Sequence, residues 1–225
     1  MAEVDVTAQG APFNTLAFSL QPLAFPLMSR ILVATGNAHK TAEIRQILGS
    51  AFCVSDLSTH PEIPAAEETG VTFLENAKIK AVETSKHFDG LVLSDDSGLE
   101  VDALGGAPGV RSARYAGEGA DDAKNREKLL LEMERVQGDR ADRYARFHCV
   151  MVLAQHGKVL GSFDGRVEGE IVGECKGEGG FGYDPLFIPE GYSQTFAQLP
   201  AEIKNGLSHR ARALEKVKQA LVELV

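Results

Sequence analysis

The chain has 225 residues, 44% of them hydrophobic, and a formal net charge of −9. That length and apolar content suffice for one sizeable domain, in one lobe or two. The acidic balance argues against a nucleic-acid polymer or an anionic membrane surface as partner, so any bound phosphate must be met by a few placed cations or by metal.

Cys53, Cys149 and Cys175 stand far apart with no C-x-x-C spacing. A disulfide framework or a zinc site is therefore not expected, and a reducing cytoplasm fits best. Residues 1–28 read as a flexible leader and residues 29–225 as a single folded unit beginning near Met28. The stretch 11–28 is apolar but broken by Pro12, Pro22 and Pro26, and only the acids Glu3 and Asp5 precede it. It has neither the cationic start of a signal peptide nor the continuity of a spanning helix.

Ile31-Leu32-Val33-Ala34 is a short apolar run typical of a strand buried on both faces, and Thr35-Gly36-Asn37 ends it. A helix follows, with Ile44, Ile47 and Leu48 on one face and Gly49 at its C-terminal cap. Strand, glycine turn and helix present backbone N–H groups to an anion, and Lys40 adds a full charge in the first turn. T-G-N-x-x-K is not the Walker A pattern, and a plain strand-to-helix connection has the same composition.

Cys53-Val54 reads as a second short strand. Glu67-Glu68 before Thr69-Gly70 is either a solvated turn or a source of oxygen ligands for Mg²⁺. Thr72 with Glu75 forms a capping box that opens a helix running to about Phe88, its buried stripe made of Phe73, Ala77, Ala81 and Val82.

Leu91-Val92-Leu93 then runs into Ser94-Asp95-Asp96-Ser97-Gly98, which reads as a strand stopping at an acidic turn on the rim of a sheet. Strand alternation sends Asp95 and Asp96 to opposite faces, one into a cleft and the other bracing the loop. Leu99 and Val101 alternate with Glu100 and Asp102 as a half-exposed strand. Arg111 and Arg114, beyond a Gly-Pro loop, are phosphate contacts or surface ion-pair partners. Asp121 to Val136 reads as an amphipathic helix with Leu129, Leu130, Met133 and Val136 inward and no chemistry of its own.

Ala145 to Leu153 alternates as a long central strand, with His148 read as a satisfied core or interface histidine. Residues 158–163 and 166–172 read as two strands joined by a hairpin at Asp164-Gly165. The segment 173–189 carries Gly173, Gly177, Gly179, Gly180 and Gly182, with Phe181, Tyr183 and Asp184 among the last of them. Glycines let a backbone approach a ligand closely, and an aromatic ring held there offers a face on which a base can stack. Lys204 and Ser208-His209-Arg210 precede a final helix packed through Leu214, Val217 and Leu221. His209 and Arg210 in its first turn oppose the helix dipole, which hints at a purpose other than stability. H-E-x-x-H and G-x-S-x-G are both absent, so a zincin or a serine hydrolase has no support.

Five stretches occur in one order: Thr35 to Lys40 (T-G-N-A-H-K), Glu67 to Gly70 (E-E-T-G), Ser94 to Leu99 (S-D-D-S-G-L), Gly179 to Pro185 (G-G-F-G-Y-D-P), and Ser208 to Arg210 (S-H-R) behind Lys204. From about Arg30 onward the chain resembles the inosine/xanthosine triphosphate pyrophosphatase family. The resemblance implies an α/β, elongated two-lobed fold around a long mixed sheet, and a homodimer. It further implies Mg²⁺-dependent hydrolysis of noncanonical purine nucleoside triphosphates (ITP, dITP, XTP) to monophosphate and pyrophosphate.

Carried over by position, Asp96 is implied as general base and metal contact, and Glu68, with Glu67, as metal ligand. Thr35, Gly36, Asn37, Ala38, His39, Lys40 and Ser97 are implied as triphosphate contacts. Phe181, Gly182, Tyr183, Asp184, Lys204, His209 and Arg210 are implied as the base pocket. Selectivity is expected to rest on hydrogen bonds, since a 6-oxopurine presents an acceptor where adenine presents an amino donor, and Arg210 or Lys204 aimed there would reject adenine. A Maf-type pyrophosphatase acting on pyrimidine triphosphates and a silent nucleotide-binding module are the competing readings.

Overall fold

The computed structural model describes residues 30–136 and 143–223, so the expected leader lies outside the described residues. Six strands form one mixed sheet in the order β2-β1-β3-β4-β5-β6. They are β1 (Arg30–Val33), β2 (Cys53–Asp56), β3 (Leu91–Val101), β4 (Tyr144–Gln155), β5 (Lys158–Ile171) and β6 (Phe187–Pro189). β1 pairs in parallel with β2 and β3, and every later pairing is antiparallel.

Among the described residues five α-helices flank the sheet: α1 (Ala38–Leu48), α2 (Phe73–Ser85), α3 (Asp122–Val136), α4 (Ala201–Leu207) and α5 (His209–Glu223). No helix among the described residues is long and apolar enough to cross a membrane. α1 starts where the Asn37 side chain accepts from the His39 and Lys40 amides, and it ends at Gly49 with φ +71°. The Thr72/Glu75 capping box is present, and α2 stops at Ser85, a turn earlier than the pattern predicts. α3 buries Leu129 and Met133, whereas Leu130 is half-buried at the edge of the same core and Val136, the last residue of the helix, is 53% exposed.

β4 shows how the layers form. Cys149, Met151 and Leu153 face one way, into a core with Ile44 of α1 and Leu214 and Val217 of α5. Val150, Val152 and Ala154 face the other way and meet Phe73, Ala77 and Ala81 of α2. A strand covered by helices on both faces must be apolar at consecutive positions, as this one is. A further core gathers Leu99, Phe147, Leu129, Tyr183 and Phe187.

Two predicted turns are strand interior. Ser94-Asp95-Asp96-Ser97-Gly98 stays in register with β4 throughout, Asp95 opposite Met151 and Asp96 opposite Val150, so β3 is one strand through Val101. What ends at this point is the neighbour: β1 pairs only as far as Val33 opposite Leu93, which frees that edge of β3 beside the acids. Gly98 serves close approach rather than turning, since a Cβ there would lie 2.4 Å from both the Gly109 carbonyl oxygen and Ser112 Oγ.

The predicted hairpin at Asp164-Gly165 is likewise absent, because β5 runs unbroken from Lys158 to Ile171. Its turn lies earlier, at His156-Gly157, where both residues have positive φ (49° and 76°). Gly165 lets α5 lie against the strand, for a Cβ would meet the His209 carbonyl oxygen at 2.1 Å.

Candidate active site

Strand alternation divides the two central carboxylates between the faces of β3. Asp95 turns toward α5 and is fully buried. Its Oδ1 accepts from Lys40 Nζ at 2.6 Å and Ser97 Oγ at 2.8 Å, and its Oδ2 from Arg210 Nε at 2.8 Å and Cys149 Sγ at 3.3 Å. Burial alone would raise the Asp95 pKa, but Arg210 and Lys40 outweigh it and hold the carboxyl well below the ordinary range. Asp95 is thus the brace.

Asp96 turns toward α2 and a polar chamber. Its Oδ1 accepts from Lys80 Nζ at 2.6 Å, while its buried Oδ2 has no hydrogen-bond partner. Burial pushes the Asp96 pKa up, against the pull of Lys80. Lys80 also donates to the Asp95 carbonyl at 2.9 Å and lies 3.4 Å from Glu68 Oε1. Burial lowers the Lys80 pKa, but Asp96 and Glu68 more than reverse that, so it stays charged. Thr35, Gly36, Asn37 and Lys40 wall the same chamber, together with Ser97 and Arg114. Arg114 reaches Glu68 only at 3.9 Å.

The glycine-rich segment walls a second, aromatic chamber that shares Asn37, Lys40 and Ser97 with the first, so the two form one crevice. Lys204, inside α4 rather than ahead of the helices, donates to Asp184 Oδ2 at 2.6 Å and Glu43 Oε1 at 2.8 Å. Its ammonium stands 5.0 Å from the centre of the Phe181 ring, a cation–π contact. Arg210 donates to the other Glu43 oxygen at 2.6 Å. Burial would lower the Arg210 pKa, and Asp95 and Glu43 instead raise it. His209 lies parallel to the Phe147 ring at 4.8 Å with its Nδ1 unpartnered. Burial first, then Arg210, holds it neutral with a pKa well below its usual value. The predicted opposition of two cations to the α5 dipole therefore reduces to Arg210, which its carboxylates offset.

The remaining expected residues sort as follows. The Phe181 amide donates to Asp184 Oδ2 at 2.8 Å, the Tyr183 hydroxyl points into the core onto the Ser112 carbonyl at 2.9 Å, and Gly182 lines the aromatic chamber. His39 is exposed and stacks on Phe181, ring centres 5.4 Å apart and 16° from parallel. Two of the α1 amides expected to face an anion, those of His39 and Lys40, are instead taken by Asn37 Oδ1. Ala38, Glu67 and Arg111 are exposed and line neither chamber. His148 is buried with neither ring nitrogen hydrogen-bonded, its Nδ1 standing 3.9 Å from Glu100 Oε2, which departs from a satisfied core histidine and leaves the interface reading open.

Sequence reasoning missed Glu43 and Lys80. Glu43 lies one turn beyond Lys40 on α1, and Lys80 is one of several charges on α2. Their partners come from elsewhere in the chain, and no local pattern marks them.

A hard divalent cation fits the donor set. Asp96 Oδ2 is an orphaned buried oxygen, and Glu68 adds a second carboxylate within reach of the same lysine. Among the described residues no three His, Cys, Asp or Glu side chains gather into a group that could hold a metal ion by themselves. Mg²⁺ commonly takes one or two carboxylates and leaves its other positions to phosphate and water.

A model of the Ham1 family matches residues 31–220. The dITP/XTP pyrophosphatase of Listeria monocytogenes is 48% identical over 199 residues, covering 88% of this chain and 97% of that protein. That of Oceanobacillus iheyensis is 46% identical over 196 residues, covering 86% and 98%. The solved Ham1 protein of Staphylococcus aureus superposes with a TM-score of 0.76 at 39% identity, covering 87% of this chain and all of that one. A HAM1 protein of Coxiella burnetii matches with the same TM-score and coverage at 41% identity.

Proposed function

The chain belongs to the Ham1 family, and from that premise and the crevice we infer that it hydrolyses noncanonical purine nucleoside triphosphates (ITP, dITP and XTP) to the monophosphate and pyrophosphate, clearing them from the nucleotide pool. The observation that carries the reading is the single crevice, with an unpartnered buried carboxylate oxygen at one end and a cation-backed aromatic ring at the other.

Asp96 and Glu68 are the residues that would hold Mg²⁺, whose charge would offset that of the triphosphate. Asp96 is the general base: its free Oδ2 takes the proton of the water that attacks the α-phosphorus, the bond from that phosphorus to the bridging oxygen breaks, and pyrophosphate leaves. The lysine on Oδ1 fixes the carboxylate orientation. Lys40, Lys80 and Arg114 ring the chamber where negative charge accumulates.

At the other end the base stacks on Phe181 in the place that the exposed His39 ring takes in this structure. Asp184 and Glu43 occupy two of the three donors of Lys204 and hold it in place, leaving a third for a 6-oxo oxygen. Adenine would set an amino donor against that donor, which is a strong basis for rejection. Three free cysteines support a reducing cytoplasm, and the acidic surface speaks against a nucleic-acid polymer or a membrane as partner. We further propose a homodimer, for which light scattering should return about twice 24.1 kDa.

The test is pyrophosphate release across a panel of ITP, dITP, XTP, ATP, GTP and CTP with Mg²⁺ or with chelator. Release from the first three, dependent on Mg²⁺, is expected. No release from any of them overturns the activity, and a preference for CTP would favour a pyrimidine enzyme.

A further inference from the structure

We propose that Asp122 and Arg126, one turn apart on α3, are positioning residues that clamp the Phe181 segment in the shape that receives the nucleobase. Gly182, directly after Phe181, has φ +60°, a conformation that leaves a flexible residue at the point where the ring must be aimed. Both of its polar backbone groups are held from α3. The Gly182 amide donates to Asp122 Oδ2 at 2.7 Å, and Arg126 Nη1 donates to the Gly182 carbonyl at 2.7 Å.

Residues four apart on a helix share a face, and one acidic and one basic member match the N–H and the C=O of a single residue. The helix behind them is fixed, since Leu129 and Met133 pack into the same core as Tyr183. Asp122 also lines the aromatic chamber, so the clamp stands beside the ligand and not merely behind it. α3, an amphipathic helix to which its sequence assigns no chemistry, therefore tunes affinity for the base half of the substrate and leaves the phosphate half alone. This rests on the proposal that Phe181 stacks the base.

The experiment measures calorimetric affinities, with Mg²⁺ present, for inosine monophosphate, which carries the base, and for inorganic pyrophosphate, which does not. Asp122→Ala and Arg126→Ala are each expected to weaken inosine monophosphate by about three- to tenfold, a partial loss of one charge-assisted hydrogen bond, with pyrophosphate within about twofold of wild type. Asp122→Asn keeps an acceptor for the Gly182 amide and should recover most of the loss. Unchanged affinity for inosine monophosphate in both alanine variants overturns the clamp, as does equal weakening of both ligands, which would signal general loosening. Wild-type hydrolysis of ITP alongside unchanged variant affinities removes the clamp alone. Absent wild-type hydrolysis with the affinity pattern intact removes the activity alone.

Discussion

The two ends of the crevice follow opposite charge plans. At the aromatic end the charges answer one another: Lys204 is held by Asp184 and Glu43, Arg210 by Glu43 and Asp95, and the histidine between these cations is neutral. At the polar end Asp96 keeps a bare oxygen, Glu68 stands 3.4 Å from its lysine, and Arg114 reaches it only at 3.9 Å. A charge-complete wall is preorganised and can select by shape and donor pattern before any ligand arrives. A charge-incomplete wall is completed by what binds there, which suits the place where negative charge must be gathered and moved.

The largest expected effect breaks the incomplete end. Asp96→Asn removes the base but keeps the size, and should lower kcat by about 10²–10⁴-fold in a pyrophosphate-release assay while leaving inosine monophosphate affinity within a few-fold. A near-normal rate would move the base elsewhere.

Asp95→Asn breaks the complete side instead. Arg210 is 1% exposed and would lose its main counter-charge, so urea unfolding should show a loss of about 3–5 kcal/mol. A loss below about 1 kcal/mol would mean that the brace is dispensable.

Acid sharpens the contrast more gently. Burial holds His209 neutral in the native state, whereas its ordinary pKa is 6.5, so the unfolded chain takes up a proton there that the folded chain refuses. Stability from this source is complete above pH 6.5 and falls as the pH drops below it. His148, its pKa lowered first by burial and then by Arg166, adds in the same direction. Between pH 7.5 and 5.5 the two should remove about 1–3 kcal/mol in urea titrations. A flat profile would place a protonated histidine inside the native core.

Much of this was legible in the chain because it is local. The Thr72/Glu75 box, the Gly49 C-cap and the alternation of β4 each depend on residues a few positions apart, and each is found where the pattern places it. The residues of the two chambers were legible as short motifs in a fixed order. What local pattern misassigns is glycine and acid inside a strand. Asp95-Asp96-Ser97-Gly98 has the composition of a turn, yet it remains strand because β4 pairs with every residue of it while β1 stops short. Asp164-Gly165 likewise looks like a hairpin, and its glycine instead accommodates the α5 backbone. Glu43, Lys80 and the α3 clamp are set by contacts between residues distant in the sequence, which no window along the chain contains.

Hydrolysis of ITP in ¹⁸O-labelled water tests the central claim most directly. If Asp96 directs water onto the α-phosphorus, the label appears in inosine monophosphate, the pyrophosphate is unlabelled, and Asp96→Asn slows the incorporation by about 10²–10⁴-fold. Label in pyrophosphate, or release of orthophosphate from ITP, would contradict it.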